Sequence, residues 1–482
     1  MKGPVTAAAT MVVALLNLIV LVCLGMSLMM FVERMYLGVA ICFVKLFGRK
    51  PEKRYKWEPI KDDIEFGNST YPMILVQIPM YNEREVYQLS IGSACGLSWP
   101  SDRIIIQVLD DSTDPTIKEL VEVECAKWEK KGINIKYEYR GNRNGYKAGA
   151  LRDGMKLSYA KQCDYVAIFD ADFQPQPDFL WRTIPFLVNN SQLALVQARW
   201  KFVNADECLM TRMQEISLDY HFIVEQEVGS SMYSFFGFNG NVMPNVKCNI
   251  IMEAIPVKNE LPSTLKAYRY QQHRWCCGPA NLFRKMFIEI ITNKKVCLWK
   301  KIHVIYSFFF VRKVVAHFNT FVFYCIVLPS TVLVPQIVVP KWGSLYLPFI
   351  ITILNVLASP RSLHLLVFWI VFENTMSLHR TKATIIGLIE GSRVNEWIVT
   401  QKLGDPLKGK IDNNKPHNKP GFIRIRNRIH MLELVVGLYL FFCGCFDLLL
   451  GTKRFFIFLH IQAFAFFIMA FGYVGTFIPT SY

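Results

Sequence analysis

The sequence predicts a chain of two kinds of structure, an α/β domain built on a mostly parallel sheet and a set of transmembrane α-helices. Three observations lead there. Residues 72–200 alternate strand-length apolar runs with helix-period segments, which is the pattern of strands joined by crossover helices. Long apolar stretches lie before and after that region. The chain is 52% hydrophobic with a mean hydropathy of +0.24, too apolar for an ordinary soluble protein, yet 19% charged, too polar for membrane helices alone. The division expected is 1–48 as an N-terminal membrane segment, 49–300 as the sheet domain and 301–482 as a C-terminal membrane domain.

In chain order, Ala9 to Phe47 is an apolar stretch interrupted by Glu33 and Arg34. It is too long for a cleaved leader and has only Lys2 ahead of it, so it reads as a signal-anchor helix. Strands are expected at Ile74 to Ile78, Ile104 to Leu109, Ile133 to Tyr139, Tyr165 to Phe169 and Leu193 to Ala198, with helices over Thr116 to Lys130 and Gly145 to Leu157. Residues 205–236 have amphipathic helical spacing. Spans are expected at 317–338, 345–372, 431–451 and 454–478, with a basic loop at 376–430 carrying Lys402, Lys408, Lys410, Lys415 and Lys419. Two hairpins of spans would place that loop beside the sheet domain, and the excess of Lys and Arg assigns that side to the cytosol.

Charge and cysteine usage exclude several classes. The net charge is +16, but the basic residues flank apolar spans, as in Lys45 to Lys50 and Arg424 to Arg428, and form no nucleic-acid-reading motif. They suit a lipid bilayer with anionic headgroups, not nucleic acid. The 13 cysteines are scattered and odd in number, with Cys23, Cys325 and Cys443 inside apolar spans, so no disulfide framework or zinc site is expected. Cys276 and Cys277 read as packing residues, and the lack of an H-E-x-x-H string argues against a zinc hydrolase. A transporter would show charged residues inside its spans and repeated halves, and the C-terminal spans show neither clearly.

The polar residues that could do chemistry cluster at strand ends, where ligands bind in parallel sheets. Asp170 and Asp172 follow the fourth strand; with extended geometry both would point to one face. Their hard oxygens suit Mg²⁺ or Mn²⁺ bridging to phosphates. The alternative is a solvated turn. A glycosidase pair is disfavoured, since its carboxylates flank the bond from separate positions about 5–9 Å apart. The string Asp110-Asp111-Ser112-Thr113-Asp114 follows the second strand; a carboxylate there could meet a base, a ribose or the metal, or an Asx or Ser turn could cap the helix that starts near Thr116 behind Pro115, with different aspartates able to serve each role. Asn82 and Glu83 end the first strand, within reach of a nucleotide, though Glu83 equally suits a helix N-terminus. Lys147, in Gly145-Tyr146-Lys147-Ala148-Gly149, opens a helix and suits phosphate, without P-loop spacing; the alternative is a close-packed helix start. Gln271, Arg274 and Trp275 offer a cation and a flat ring for a pyrophosphate and a pyranose, or else an interfacial aromatic belt.

Taken together, Gln77 to Glu83, Leu109 to Asp114, Phe169 to Asp172 and Gln271-x-x-Arg274-Trp275 resemble the processive, inverting family 2 glycosyltransferases of the cellulose synthase group. Tyr268 to Trp275, Gly278 to Lys285 and Glu373 to Thr384 are similar almost letter for letter to the plant cellulose-synthase-like A proteins, the glucomannan 4-beta-mannosyltransferases. The resemblance covers nearly the whole chain. It implies a GT-A-like nucleotide-sugar-binding sheet domain with transmembrane helices, GDP-mannose and GDP-glucose as donors, a growing mannan or glucomannan chain as acceptor, Mg²⁺ or Mn²⁺ as cofactor, and the Golgi membrane as location, with other cell-wall synthases as partners. It places Asp110 and Asp111 at the nucleotide, Asp170 and Asp172 at the metal and diphosphate, and Gln271, Arg274 and Trp275 at the acceptor. Asn68 and Asn189 would be glycosylation acceptors only if the sheet domain were luminal.

One family motif is missing. Between the Phe-Asn-Gly and Asn-Glu-Leu-Pro-Ser strings the family carries a Thr/Val-Glu-Asp triplet whose aspartate is the general base. Here Phe238-Asn239-Gly240 runs through Asn241 to Lys258 into Asn259-Glu260-Leu261-Pro262-Ser263 with no such triplet. A positioned base contributes about 10²–10⁴-fold. Glu253 is the one carboxylate in the bridge and is the candidate substitute base. The alternatives are a catalytically impaired relative of the same fold or a beta-1,4-glucan synthase.

Overall fold

The computed structural model describes residues 4–48, 55–60, 67–233, 235, 249–390, 429–451 and 453–476. The expected basic loop residues Lys402 to Lys419 and Arg424 to Arg428, and the bridge from Gly240 to Cys248, lie outside them.

Four parallel strands form the sheet: β1 (Ile74–Met80), β2 (Ile104–Asp110), β3 (Ile135–Tyr139) and β4 (Tyr165–Ile168), in the order β3-β2-β1-β4. The chain steps outward from β1 through β2 to β3, then returns to lay β4 on the other side of β1. The strand order therefore reverses between β1 and β4, and such a switch point opens a ligand crevice at the carboxyl ends. Apolar residues fill both faces, with Ile74, Leu75, Val76, Ile78 and Val108 fully buried, as expected of a parallel sheet covered by helices. The covering helices are α2 (Tyr87–Cys95), α3 (Pro115–Glu129), α4 (Tyr146–Gly154) and α5 (Phe179–Asn189), α1 being the long apolar N-terminal helix (Pro4–Leu46). One polar pair crosses the core: Gln77 donates to Gln107 at 2.8 Å, and Gln107 donates in turn to Tyr159 and to the Gly154 carbonyl. A Cβ on Gly154 would lie 2.6 Å from the Gln107 side-chain oxygen, so the pair requires glycine there. A second, two-stranded parallel sheet joins β5 (Leu195–Phe202) to β6 (Asn249–Asn259).

Elsewhere the structure departs from the expected boundaries. Glu33 and Arg34 do not interrupt α1, which is one helix. They find partners instead: Arg312 donates to Glu33 at 2.7 Å, and Arg34 donates to Glu225 at 2.7 Å. Glu33 and Arg312 thus lie within candidate spans and pair with each other, while Arg34 pairs with Glu225 outside them. The amphipathic segment folds as α6 (Leu209–Tyr220), which continues in π-type turns through Tyr233. Thr264 caps α7 (Leu265–Thr292) by accepting from the Ala267 amide. The first C-terminal span begins earlier than expected, as a 36-residue helical run, α8 (Leu298–Leu333). The expected span 345–372 is divided into α9 (Trp342–Val356) and α10 (Leu366–Ile389), because Pro360 cannot continue a helix. Residues 376–389, expected as loop, are the last turns of α10. Two helices close the chain, α11 (Met431–Leu449) and α12 (Phe456–Ala470). Among the described residues, α1, α8 and α11 are long and apolar enough to cross a membrane.

Candidate active site

The site is assembled by one loop, Arg140 to Lys147, which crosses the carboxyl ends of the sheet and touches each strand end in turn. Arg140 meets the end of β2: its guanidinium donates to both oxygens of Asp111, at 2.9 and 2.5 Å. Arg143 meets the end of β1, lying 3.3 Å from the centroid of the Tyr81 ring. Lys147 meets the end of β4, pairing with Asp170. Two glycines make this path possible. Gly145 takes φ +73° at the entry to α4, and a Cβ on Gly149 would lie 1.9 Å from the Asn144 carbonyl oxygen.

Asp170 and Asp172 sit in a turn and not on an extended strand. β4 ends at Ile168, and the Phe173 amide donates back to the Asp170 carbonyl at 2.9 Å. The two carboxylates are partly exposed at the switch point between β1 and β4. No cluster of three or more His, Cys, Asp or Glu side chains occurs among the described residues. The donor set is thus two hard carboxylates whose partners would be phosphate oxygens and water, which fits Mg²⁺ or Mn²⁺ and not a dedicated protein cage. Asp170 and Asp172 are the residues that would hold such an ion.

Asp110 and Asp111 are more deeply engaged than the sequence suggests. Asp110 is fully buried and accepts from the Ser112 amide at 2.8 Å and the Tyr137 hydroxyl at 2.9 Å. Asp111 is held by Arg140, whose guanidinium is raised above its ordinary value by that hydrogen bonding. Both aspartates therefore shape the crevice wall, with only their remaining lone pairs available to a ligand. The aspartate of this string that caps α3 is Asp114, accepting from the Thr116 amide at 2.9 Å. Asn82, at φ +52°, takes hydrogen bonds from the Thr113 and Asp114 amides and so pins the β1 loop to the β2 loop; Glu83 follows on the same turn.

The helix α7 brings the Gln-x-x-Arg-Trp residues to this rim. Arg274 lies within electrostatic reach of Glu83 and Asp170, and burial pulls its guanidinium below the ordinary value while those carboxylates oppose the shift. Trp275 is half-buried, 6.2 Å from Trp200, in an aromatic group that also includes Phe173, the residue after Asp172. Gln271 is buried and its side-chain oxygen has no hydrogen-bond donor among the described residues. A buried acceptor without a donor costs about 1–3 kcal/mol, a cost that a ligand hydroxyl would relieve. Glu253 falls where β6 slips register: Met252 pairs with Ala198 and Pro256 with Arg199, which leaves residues 253–255 as a bulge.

Sequence reasoning missed Arg140, Arg143 and Arg380. The available signal for the first was a basic residue closing a strand beside acidic strand ends. Arg380, on α10, is 7% exposed and donates to Gln272 at 2.7 Å and to the Tyr268 hydroxyl at 2.9 Å, while pairing with Glu373. It locks α7 against α10 within the Gln271-x-x-Arg274-Trp275 stretch itself. Gly387 completes that seam, since a Cβ there would meet the Cys277 carbonyl at 2.3 Å. A separate cavity of about 1070 Å³ lies between the membrane helices, lined by Arg34, Glu225, Arg312 and His317 among others, and holds none of the rim residues.

A parallel sheet with paired carboxylates at its switch point, a lysine beside them and a half-buried tryptophan opposite defines a sugar transferase of the nucleotide-sugar class. The profile of Glycosyl transferase family 2 matches residues 75–243. Glucomannan 4-beta-mannosyltransferase 9 of Arabidopsis thaliana is 65% identical, covering 98% of this chain and 93% of its own. Probable glucomannan 4-beta-mannosyltransferase 9 of Oryza sativa subsp. japonica is 60% identical, covering 98% and 96%. The chain belongs to this family of glucomannan 4-beta-mannosyltransferases. Among solved structures, a mannosyltransferase from Pyrobaculum calidifontis in complex with GDP-Man and Mn²⁺ aligns at TM-score 0.45 and 16% identity over 75% of this chain and 99% of that one. The alignment to the Arabidopsis relative runs 500 residues, longer than this 482-residue chain, so the chain carries deletions relative to it.

Proposed function

We propose that the chain transfers mannose from GDP-mannose, with GDP-glucose as a second donor, to the 4-hydroxyl of a growing glucomannan chain at the Golgi membrane, the sheet domain facing the cytosol. The observation that carries this reading is the convergence of Lys147, Asp170 and Arg274 on one rim. A divalent ion held by Asp170 and Asp172 would neutralise the charge that develops on the departing diphosphate. Lys147 and Arg274 add positive charge to the same place, and Asn82 with Glu83 closes the nucleotide end. Gln271 and Trp275 position the acceptor, the indole against the apolar face of the sugar. Glu253 is the residue proposed to take the proton from the acceptor hydroxyl. The cytosolic assignment follows from the basic segments beside the spans. It is supported by the engagement of both sequon asparagines within the protein: Asn68 donates to Asp102 at 2.7 Å and Asn189 to the Pro185 carbonyl at 2.8 Å. Other cell-wall synthases are proposed partners in the same membrane.

A second reading has its own observation. The family's Thr/Val-Glu-Asp triplet is missing and relatives align over more residues than the chain has, which favours a nucleotide-binding relative that makes no polymer. Membranes carrying this chain, given labelled GDP-mannose with Mg²⁺ or Mn²⁺, separate the two. Mannanase-sensitive polymer that disappears in Asp172→Ala supports the synthase. Nucleotide binding without polymer from a well-inserted protein supports the second reading. Competition between GDP- and UDP-sugars tests the remaining alternative, a beta-1,4-glucan synthase.

A further inference from the structure

We propose that Arg143 reads the nucleobase and makes the site selective for guanine. The assignment rests on the donor-site reading above and adds to it the residue that chooses the base. The Arg143 guanidinium carbon lies over the Tyr81 ring, 3.3 Å from its centroid, and 5.2 Å from the centroid of the Tyr146 ring on the same loop. Stacking of this kind fixes the plane of the fork. Its Nε is buried and has no hydrogen-bond acceptor among the described residues. A buried charged donor without an acceptor is costly, and its presence beside a ligand crevice points to an acceptor that arrives with the ligand.

The position along the crevice says which part of the ligand that is. The diphosphate pole is at the end of β4, where Lys147 meets Asp170. Arg143 is held over the end of β1 and Arg140 over the end of β2. The ribose and base of a nucleotide anchored at β4 extend toward those strands, whose ends are spaced about 4.8 Å apart. Guanine offers two acceptors side by side, O6 and N7, which match two parallel N–H groups of an arginine. Adenine puts a donor, N6, where guanine has O6, and uracil has no such pair. Tyr81 and Tyr146 hold the fork, and the residues after each, Asn82 and Lys147, belong to the nucleotide site, so base and phosphate recognition share one scaffold.

The competing role, a phosphate contact, makes a different prediction, because phosphate is common to all nucleoside diphosphates. The test measures dissociation constants of GDP, IDP, ADP and UDP, with Mg²⁺, for the full chain in detergent or nanodiscs. Wild type, Arg143→Gln and Arg143→Lys are compared. IDP keeps O6 and N7 and lacks only the 2-amino group. The expected result is GDP and IDP bound about equally and at least tenfold tighter than ADP and UDP, an advantage on the scale of one bidentate base contact. Both variants should lose that advantage while UDP binding holds, which also reports that they are folded. Arg143→Lys retains the charge, so restored binding of all four by lysine would show a phosphate role and overturn the assignment. A guanine preference that survives in both variants would overturn it as well. Wild type that binds UDP ahead of GDP, or binds no nucleotide, would refute the donor reading itself and this assignment with it.

Discussion

Replacing Arg380 by methionine tests how the acceptor helix is held. The guanidinium is 7% exposed and serves three partners on two helices: Glu373 on its own, Gln272 and Tyr268 on α7. Methionine keeps much of the side-chain volume and removes all donors. Breaking a buried ion pair by deleting one partner costs about 3–5 kcal/mol, chiefly through the charge left behind. Glu373 is 20% exposed and still receives a hydrogen bond from Ser217 at 3.3 Å, which places the expected loss near the lower end, about 3 kcal/mol. Neutralising the orphan should then recover stability, so Arg380→Met with Glu373→Gln is expected to be more stable than Arg380→Met alone. Thermal unfolding in detergent measures this order. Function should separate as well. GDP affinity, to which α7 would contribute through Arg274 alone, should change less than mannosyl transfer, which should fall by about 10², the scale of a 1 Å misplacement of a reacting group. A double variant less stable than the single one, or a transfer defect that follows lost GDP binding, would refute the reasoning.

Other outcomes follow from the same contacts. Gly149→Ala forces a Cβ onto the Asn144 carbonyl, so the crossing loop must move, and GDP affinity should fall by at least tenfold in a titration while the membrane helices keep their helical circular dichroism. Asp172→Ala should abolish Mn²⁺-dependent GDP binding, and chelation of the metal should do the same to wild type, both read by calorimetry. Arg140→Met leaves Asp111 buried without its partner and should destabilise the sheet domain by about 3 kcal/mol, with Asp111→Asn in the same chain restoring part of it. Burial holds the Cys125 thiol up at about 12, whereas Cys297 is exposed next to α8. An impermeant maleimide applied to sealed, right-side-out vesicles of the membrane that carries the chain should therefore label Cys297 and spare Cys125, and labelling only after permeabilisation would place the sheet domain in the lumen.

The strands were legible because each is a short apolar run ended by polar residues, and both faces of a parallel sheet are buried. Asp170 and Asp172 were legible as a pair, with an extended strand end and a solvated turn as the alternatives; the turn is what forms, and the choice depends on a backbone hydrogen bond that leaves no mark on side-chain pattern. The pairings of Glu33 and Arg34 were not legible, because their partners, Arg312 and Glu225, are remote in sequence. Arg143 resembles any solvated loop arginine until the fold brings Tyr81 beneath it. Arg380 was visible only within a string similar to the family's, and its partners on α7 emerged from the packing of two helices. Local chemistry thus reads well from sequence, while pairings across the fold do not.

The attachment of α7 has a mechanical consequence. This helix is bolted to the neighbouring helices through Arg380 and through the ion pair between Arg269 and Glu433 of α11, whereas the loop from Arg140 to Lys147 is rooted in the sheet domain. The proposed acceptor end and most of the proposed nucleotide end therefore sit in different frames, with Arg274 of α7 reaching between them. A spent nucleotide can leave, and its loop can relax, without loosening the bolts that hold the sugar end. A machine that adds units one after another to the same chain needs that separation between the hand that feeds and the vice that holds.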